Sequence, residues 1–178
     1  IIRRLQTIVN LSKDLFASTE LHSTLCAILG NIEKTIPADY IQLSLWDSTT
    51  QQLTPYHLIG SSDEEYAVEV SQASYLQRDG FASYLTQQRH PVWIPDTQQQ
   101  DQIPDNMILP ATTTYRSYLG IPLQTDDNLI AVLELRSLTA GFFQKADLDF
   151  LQLIASAVST ALQNSLSRHC LLYTSDAA

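Results

Sequence analysis

Hydrophobic and polar residues alternate strictly from Tyr40 to Asp47, and this period of two predicts a β-strand with two different faces. One face carries Ile41, Leu43 and Leu45, and the other carries Tyr40, Gln42, Ser44 and Trp46. Residues 48–51 predict a turn, after which Gln52 to Ile59 returns as the second strand of an antiparallel hairpin. The sequence therefore predicts a sheet with one apolar face and one face that carries polar groups.

Two segments have the spacing of amphipathic helices. The first begins at Ser18 or Thr19 and is stopped by Pro37, and its apolar stripe predicts contact with a sheet. The second runs from Gly80 to Arg89 and ends at His90, because a residue that precedes proline is disfavoured in the helical region.

Four further strands are predicted at Ala67 to Val70, Pro91 to Ile94, Tyr118 to Leu123 and Leu129 to Leu138. The polar turn Asp126-Asp127-Asn128 joins the last two strands as a hairpin. Ahead of this hairpin lies a long loop, Pro95 to Thr114, that holds three prolines. A loop of this length in a compact domain usually covers a site or is mobile.

The segment Phe142 to Asn164 predicts a long final helix, with Asp147 near its N-terminus, where a negative charge suits the helix dipole. Apolar residues recur along it at steps of three and four, the spacing that faces a partner helix: Leu148, Leu151, Ala155, Val158 and Leu162. We expect this stripe to form a dimer interface. The alternative is that it packs on the domain's own sheet. Phe150, Ile154 and Ala157 are the candidates for the domain side if both surfaces are used.

An apolar-periodic segment starts at Ile1 and predicts an N-terminal linker or signalling helix over residues 1–16. Residues 17–166 form the expected main domain, including the long final helix. Residues 167–178 are expected to be a tail, of which 170–178 resembles a translated sequencing adapter and is set aside. A genuine disordered tail is the alternative. We expect a fragment of a longer protein whose linked effector domain lies outside this sequence.

Composition narrows the choice of function. With 178 residues and 44% hydrophobic side chains, the chain can bury the core of one domain. Its formal net charge of -9 and its scattered Lys and Arg residues disfavour nucleic acid as a partner. No apolar run reaches the roughly 18 residues of a membrane-spanning helix, so no membrane contact is expected from this module.

Cysteine and histidine usage disfavours disulfides and metal sites. Cys26 is the one cysteine outside the set-aside tail, and its apolar helical neighbours predict a core residue. One thiol builds no disulfide framework, so a reducing cytoplasm is the expected location. The histidines show no ligand spacing, and no metal is expected.

The order of these elements, together with four motifs, resembles a GAF domain over roughly residues 15–164. The motifs are QRHPVWIPD (Gln88 to Asp96), SYLGIPL (Ser117 to Leu123), NLIAVLEL (Asn128 to Leu135) and FQKAD (Phe143 to Asp147). The resemblance implies an α+β fold with an antiparallel sheet of about six strands. It also implies terminal helices packed on one face and loops or short helices over a ligand pocket on the other. Most members of the family belong to bacterial sensor kinases, nucleotide cyclases and transcription regulators.

Three ligand classes of the family depend on residues that this sequence lacks. Bilin-binding members attach the chromophore through a cysteine ahead of the SYLGIPL-like strand, whereas residues 106–116 here read NMILPATTTYR. Cyclic-nucleotide members share an Asn-Lys pair and an Asp-Glu pair, but Asp147 is followed by Leu148 and no Asn-Lys precedes it. Family members that reduce methionine sulfoxide need pocket cysteines. The cofactor therefore stays unknown, with no covalent bilin expected and a non-covalent small molecule open.

The candidate pocket residues lie on the polar strand face and at the end of the long loop. Gln42, Ser44 and Trp46 are expected to face the pocket beside Glu134 and Arg136, and such a mixture suits a small polar or aromatic ligand. Tyr115 and Arg116 are candidates for closing over an anion. The alternative is that Glu134 and Arg136 form a modest surface ion pair and that Trp46 covers the hairpin. No nucleophile lies beside a base, so no catalytic residue is assigned.

These observations predict a sensory or regulatory domain of a bacterial signalling protein such as a histidine kinase, a nucleotide cyclase or a regulator, and not an enzyme. Ligand occupancy would shift paired terminal helices in a homodimer between two packed arrangements. One alternative is a ligand-free structural spacer that holds a dimer together. Less favoured alternatives are a cysteine-dependent enzyme of the family and a bilin photosensor.

Overall fold

The computed structural model describes residues 3–5, 21–59, 67–70, 75–76, 80–109 and 113–176. Its longer helices are α1 (Leu21–Thr35), α2 (Phe81–Gln88) and α3 (Lys145–Asp176), and a short 3-10 helix covers Gln100–Gln102. Its strands are β1 (Tyr40–Asp47), β2 (Gln52–Ile59), β3 (Ala67–Val70), β4 (Tyr75–Leu76), β5 (Val92–Ile94), β6 (Ser117–Thr125) and β7 (Asn128–Ser137). The predicted order of elements is confirmed, and the predicted start of α1 at Ser18 or Thr19 lies outside the described residues.

The strands form one antiparallel sheet in the order β3-β2-β1-β7-β6-β5, with β4 also paired to β2. This confirms the expected α+β architecture. The sheet has seven strands within the described ranges, against the expected six or so, because the two-residue β4 carries too little pattern to be predicted. Strand β7 is central, with β1 on one side and β6 on the other.

Strand alternation places the two kinds of residue on opposite faces, as the sequence predicts. On one face, Leu43 of β1 and Leu133 of β7 join a large buried cluster with helices α1 and α3. The predicted apolar stripe of α1 lies in this cluster: Leu25, Ile28, Leu29 and Ile32. A smaller cluster on the other face contains Leu53, Phe81, Leu85, Val92, Ile94, Met107, Tyr118, Leu129 and Val132. Helices α1 and α3 and the polar residues of β1 are thus separated by the thickness of the sheet.

The β6–β7 hairpin turns through Asp126 and Asp127, which both have positive φ, at 49° and 66°. Two central residues with positive φ match the right-handed twist of the flanking strands, and Asp adopts this conformation more readily than most side chains. The predicted hairpin at this polar turn is therefore confirmed. It brings Glu134 opposite Gly120 and Arg136 opposite Tyr118.

Helix α2 and the long loop cover the smaller cluster. The helix ends earlier than the proline rule indicates, because Arg89 adopts a left-handed conformation, with φ 62°, and its N–H donates to the Leu85 carbonyl. The loop is fixed where Thr97 donates through its N–H to the Arg116 carbonyl and through Oγ1 to the Tyr115 carbonyl, at 2.8 and 2.7 Å. These bonds place Tyr115 beside the polar residues of the sheet.

Helix α3 begins with a capping interaction in which the Gln144 N–H donates to Asp147 Oδ2 at 2.8 Å. This satisfies a backbone donor at the helix entrance and agrees with the expected position of Asp147. The backbone helix extends past the predicted end at Asn164 to Asp176 and so includes residues 170–176, which the sequence pattern had assigned to a tail.

The terminal segments meet at the start of α3. Of the predicted N-terminal helix over 1–16, the described residues are 3–5, and these are helical. Arg4 donates to the Ala146 carbonyl and to Asp147 Oδ1, and its guanidinium carbon lies 5.6 Å from the centroid of the Phe150 ring. In the described part of the chain, no helix has both the length and the apolar character needed to cross a bilayer.

Candidate functional site

A row of polar side chains follows β1 along the face opposite the terminal helices. The Tyr40 hydroxyl donates to Gln42 Oε1 at 2.7 Å, and Gln42 Nε2 donates to Ser44 Oγ at 3.1 Å. Gln42 and Ser44 are both buried. The alternation of β1 therefore produces a connected hydrogen-bond chain beneath the surface.

The neighbouring strand β7 adds a buried charge pair to this row. Glu134 is fully buried, and its Oε2 accepts from the Tyr118 hydroxyl at 2.9 Å and from Arg136 Nη2 at 3.2 Å. The strand register sets Glu134 opposite Gln42 and Arg136 opposite Tyr40. We call the group Tyr40, Gln42, Ser44, Tyr115, Tyr118, Glu134 and Arg136 the polar cluster.

Three aromatic rings surround the Arg136 guanidinium. Its central carbon lies 5.4 Å from the centroid of Tyr40 and 5.8 Å from those of Phe81 and Tyr115. Burial is the largest single influence on the pKa of Arg136 and lowers it, but the charge and hydrogen bond of Glu134 and the hydroxyls of Tyr118 and Tyr40 together outweigh burial, so that the net pKa is raised. Arg136 therefore stays cationic, held by one carboxylate and by the negative faces of the rings.

Two atoms of the charge pair have unused hydrogen-bonding capacity. Glu134 Oε1 and Arg136 Nε are buried and have no hydrogen-bond partner in the described part of the chain. Most buried charged groups satisfy their hydrogen bonds, because an unmet one costs about 1–3 kcal/mol or more. One acceptor and one donor are consequently left over at the same place in the sheet.

Gly120 and Phe81 hold Tyr118 against this pair. The Tyr118 ring stacks on Phe81 at a centroid distance of 3.8 Å and an interplanar angle of 11°. A Cβ atom at Gly120 would lie 2.8 Å from both Tyr118 Cζ and Leu85 Cδ1, which is closer than such atoms approach. The missing side chain at Gly120 lets the tyrosine ring lie on the sheet and reach Glu134.

The structure brings together five of the seven residues that sequence analysis proposed for a pocket, namely Gln42, Ser44, Tyr115, Glu134 and Arg136. Trp46 shares their face but packs against the smaller cluster farther along β1. Arg116 instead donates Nε and Nη2 to Asp96 Oδ1 and Oδ2, at 3.1 and 2.9 Å. The alternative of a modest surface ion pair between Glu134 and Arg136 is wrong, because Glu134 is fully buried.

Three residues around the charge pair were not proposed from the sequence, although two of them have a recognisable position in its strand pattern. Tyr40 was assigned to the same face as Gln42, and Tyr118 alternates with Gly120 in SYLGIPL. Phe81 lies at the start of α2 and reaches the sheet only through the packing of that helix. Register across strands identifies the first two, whereas no local pattern identifies the third.

A comparison with family models assigns the fold to a known group. The GAF domain model matches residues 20–162, which is most of the chain.

The chain belongs to the GAF family.

Solved structures of similar fold include GAF domains from phosphoenolpyruvate-protein phosphotransferases. The GAF domain of an Acinetobacter phosphoenolpyruvate-protein phosphotransferase aligns over 92% of this chain and 95% of its own, with TM-score 0.73 and 16% identity. The corresponding domain from Coxiella burnetii aligns over 95% and 98%, with TM-score 0.75 and 14% identity. No curated protein sequence matches the chain. At these identities the likeness shows the fold alone.

Enzymes share the fold as well. A free methionine-R-sulfoxide reductase from Neisseria meningitidis, solved with its substrate, aligns over 92% of this chain and 90% of its own, with TM-score 0.69 and 16% identity. In this GAF domain Cys26 lies on α1 and packs against the large cluster on the helix side of the sheet. The sheet therefore stands between the Cys26 thiol and the polar cluster. Among the described residues, no group of three or more His, Cys, Asp or Glu side chains is placed to hold a metal ion.

The apolar stripe of α3 belongs to the core of this GAF domain. Leu151, Val158 and Leu162 are fully buried in the large cluster, beside Phe150 and Ile154. Leu148 and Ala155 are partly buried against the same cluster, and Ala157, expected on the domain side, is exposed. The expectation that this stripe faces a second subunit is thus corrected, because the domain's own sheet and α1 cover it. Leu153 points the other way and is 69% exposed.

A separate cleft lies between α2 and the long loop, and it contains none of the proposed site residues. Its volume is about 150 Å³, and its lining consists of Gly80, Ser83, Tyr84, Gln87, Asn106, Met107 and Ile108. Ligand pockets commonly have about 300–1,000 Å³. The cleft is smaller than this range, and none of its described lining residues carries a buried polar atom without a partner, whereas Glu134 and Arg136 of the polar cluster each carry one. The polar cluster is therefore the better candidate for a functional site.

Proposed function

We propose that this GAF domain is a sensory module of a multidomain bacterial signalling protein, such as a histidine kinase, a nucleotide cyclase or a regulator, that acts in the cytoplasm. It binds a small molecule at the polar cluster and passes the occupancy of that site to its terminal helices. The observation that carries the proposal is the buried pair Glu134 and Arg136, in which Oε1 and Nε have no partner among the described residues. A ligand that supplies the two missing hydrogen bonds stabilises the bound state.

Strand β7 supports a relay through the sheet. Glu134 and Arg136 point to the polar cluster, whereas Leu133 and Leu135 alternate with them and join the large cluster that includes α1 and α3. A shift of β7 at the ligand site therefore changes the packing under the helices. Tightly packed clusters transmit such shifts because they have little free volume to absorb them.

The output surface in this proposal is the outer side of α3 in a homodimer. Leu153 is a large apolar side chain exposed on that side, and Ser156, Ala157 and Thr160 near it are small. Small residues let a second helix approach closely, and a linked effector domain would follow the movement of the pair. This assignment replaces the buried stripe around Leu151 and Val158 as the dimer contact.

Two observations support other functions. The stacked rings of Phe81 and Tyr118 occupy part of the polar face, as a ligand-free structural spacer would require. The fold is also shared with methionine sulfoxide reductases. Reduction of a sulfoxide by a cysteine requires the thiol at the substrate, and Cys26 lies across the sheet from the polar cluster. We therefore propose a binding function and not an enzymatic one.

Native mass spectrometry of the full chain, purified from expressing cells without refolding, tests ligand binding. We expect a co-purified mass that is lost in the double variant Glu134→Gln/Arg136→Met, which removes both charges together. The double variant Lys145→Met/Asp149→Asn removes an exposed ion pair on α3, away from the polar cluster, and serves as a control that keeps the mass. An empty spectrum for the natural chain, with no thermal shift across nucleotides and tetrapyrroles, would favour the structural spacer.

Sedimentation equilibrium tests the dimer. We expect Leu153→Glu to weaken dimerisation at least about tenfold, equivalent to 1.4 kcal/mol, because it places a charge in the apolar contact. The adjacent exposed Gln152→Glu adds the same charge on another side of the helix and should have a smaller effect. A natural chain that stays monomeric at high concentration would contradict the proposed output surface.

A further inference from the structure

The number of unused atoms in the polar cluster restricts the chemistry of its ligand. Within the described ranges, the buried charge pair leaves one acceptor, Glu134 Oε1, and one buried donor, Arg136 Nε, without a partner. The guanidinium also carries N–H groups on Nη1 and Nη2, so Nε is its buried unpaired donor and not its only donor. Glu134 Oε2 is already shared by Tyr118 and Arg136. A matching ligand therefore presents one donor beside one acceptor to this pair.

A zwitterionic ligand does not fit this count. An ammonium group has three N–H donors, and an ionised carboxylate accepts about four hydrogen bonds. Within the described residues, Glu134 Oε1 is the one unpaired acceptor of the buried pair, so two of the three ammonium N–H donors of such a ligand would be left unmet there. Unmet hydrogen bonds are most costly on charged groups, so a neutral pair of ligand atoms is favoured.

The charges of the cluster lead to the same conclusion. Glu134 and Arg136 are in contact, and their formal charges sum to zero. The described side chains in contact with the pair carry no formal charge: Tyr40, Phe81, Tyr115 and Tyr118. The titratable His57 lies one ring farther out, stacked on Tyr40 at a centroid distance of 5.8 Å. A phosphate or another ligand with net charge would lose its hydration here without gaining an uncommitted counter-charge.

The shape of the surroundings favours a flat molecule. The rings of Tyr40 and Tyr115 both lie against Arg136, with their centroids 5.9 Å apart and an angle of 38° between them. Aromatic walls pack most closely on planar ligands, and Arg136 keeps 23% of its side chain exposed as a point of access. Glu134 beneath it is closed to solvent, so the ligand edge has to enter beside the guanidinium.

We propose, on the basis of the proposed sensory function, that Glu134 and Arg136 recognise the lactam edge of a neutral heterocycle, in which a ring carbonyl adjoins a ring N–H. The carbonyl accepts from Arg136 Nε, and the ring N–H donates to Glu134 Oε1. Tyr118 is a positioning residue in this arrangement, because its hydroxyl holds Glu134 Oε2 and leaves Oε1 for the ligand.

The test uses uracil as the simplest lactam probe and 1,3-dimethyluracil as its control, which keeps the planar ring and the carbonyls but carries a methyl group in place of each ring N–H. Saturation-transfer NMR and calorimetry on the full chain should show binding of uracil and at least tenfold weaker binding of the dimethyl compound.

Arg136→Lys keeps the charge beside Glu134 but removes the Nε donor, and it should weaken uracil binding at least tenfold. Arg89→Lys, a change of the same type at the end of α2, should leave it unchanged, and thermal melts confirm that both variants are folded.

Glycine and inorganic phosphate, tested in parallel, separate the ligand class from the function itself. Binding of either one that depends on Arg136, with no response to uracil, would overturn the neutral lactam class and leave the sensory function standing. Equal affinity for uracil and its dimethyl form would also overturn it. If no probe binds and a crystal structure shows only an ordered water between Glu134 Oε1 and Arg136 Nε, the ligand class fails. The co-purified mass then decides the proposed function separately.

Discussion

At the scale of single residues, the polar cluster depends on close approach at Gly120 as much as on its charges. Tyr118 can donate to Glu134 only while its ring lies over the glycine, between the sheet and Phe81. Glu134 in turn is tolerated in the interior because it has Tyr118 and Arg136 as partners. Small changes at Gly120 should therefore affect both the stability of the fold and the geometry of the site.

Gly120→Ala tests this packing. We expect the variant to lower the free energy of unfolding by about 1–3 kcal/mol, because the new methyl group overlaps Tyr118 and Leu85. Urea denaturation followed by circular dichroism measures the change. Adding Tyr118→Phe removes the hydroxyl that lies nearest the new atom, so the double variant should lose less stability than the sum of the single changes. Strict additivity would show that Tyr118 does not lie over Gly120.

Asp96→Asn tests the ion pair that fixes the long loop. Hydrogen bonds from Arg116 and the Gln98 N–H hold the pKa of Asp96 below its usual value. Because the pKa of Asp96 is lower in the folded protein than in the unfolded chain, its ionisation stabilises the fold at any pH above the ordinary carboxyl pKa of about 3.9. This contribution is lost as the pH falls through the pKa of Asp96 in the folded protein. We therefore expect Asp96→Asn to melt at a lower temperature than the natural chain at neutral pH, and the difference to vanish near about pH 2.

The exposed loop carboxylate of Asp101 provides the control for this experiment. Asp101→Asn removes a negative charge from the same loop without breaking the contact between Asp96 and Arg116, so its melting temperature should stay near that of the natural chain at both pH values. A difference for Asp96→Asn that persists unchanged at acid pH would show that the carboxylate charge does not stabilise the loop.

At the scale of elements, helix α3 shows how one sequence pattern fits two surfaces. Its three-and-four spacing is the same for a helix that contacts a sheet and for one that contacts a partner helix. The structure assigns Leu151, Val158 and Leu162 to the domain's own core. The other side of the helix carries polar and small residues, with Leu153 as its large apolar side chain.

A pair of alanine substitutions distinguishes the two sides of α3. Leu151→Ala should cost about 2–5 kcal/mol of unfolding free energy, because it leaves a cavity in the large cluster. Leu153→Ala removes the same atoms from an exposed position and should change stability of the monomer by about 0.5 kcal/mol or less. The measurement is urea denaturation at low protein concentration. Equal losses would contradict the assignment of Leu151 to the core.

At the scale of the whole molecule, two apolar clusters share one sheet. Strand β7 contributes Leu133 to the large cluster and Val132 to the smaller one, so neither cluster can open without loss of the same strand. A strand that is central and buried on both sides joins the clusters mechanically. Cooperative unfolding in a single step is the expected consequence.

The two tryptophans of the sequence report on the two clusters separately. Trp93 packs against the large cluster and donates through Nε1 to the Phe143 carbonyl at 3.1 Å, whereas Trp46 packs against the smaller cluster. We expect the variants Trp46→Phe and Trp93→Phe, each with one remaining tryptophan, to give tryptophan fluorescence transitions in urea that coincide with the loss of circular dichroism of the same variant. Different midpoints for the two probes within one variant would show that the clusters unfold independently.

The sequence alone determined which residues alternate, where α1 and α2 end and where α3 begins within a few positions, and which strand face carries Gln42, Ser44, Glu134 and Arg136. These features are local, because side-chain direction follows from a period of two or 3.6 residues along the backbone. Four motifs in a fixed order also identified the family, and the family match confirms that prediction. Local pattern could not say whether the Glu134–Arg136 pair is exposed, because burial depends on what covers it.

Only the tertiary structure decided the contacts that join distant segments. Phe81 and Tyr118 are 37 positions apart by their residue numbers, and their stacking depends on the docking of α2 onto the sheet. Arg116 contacts Asp96 at the opposite end of the long loop, although its guanidinium would suit other anions. Leu151 is covered by the sheet and α1, although its side chain would also suit a partner helix. An amphipathic stripe or a charged side chain specifies the kind of partner it requires, whereas the packing of the whole chain selects which partner lies within reach.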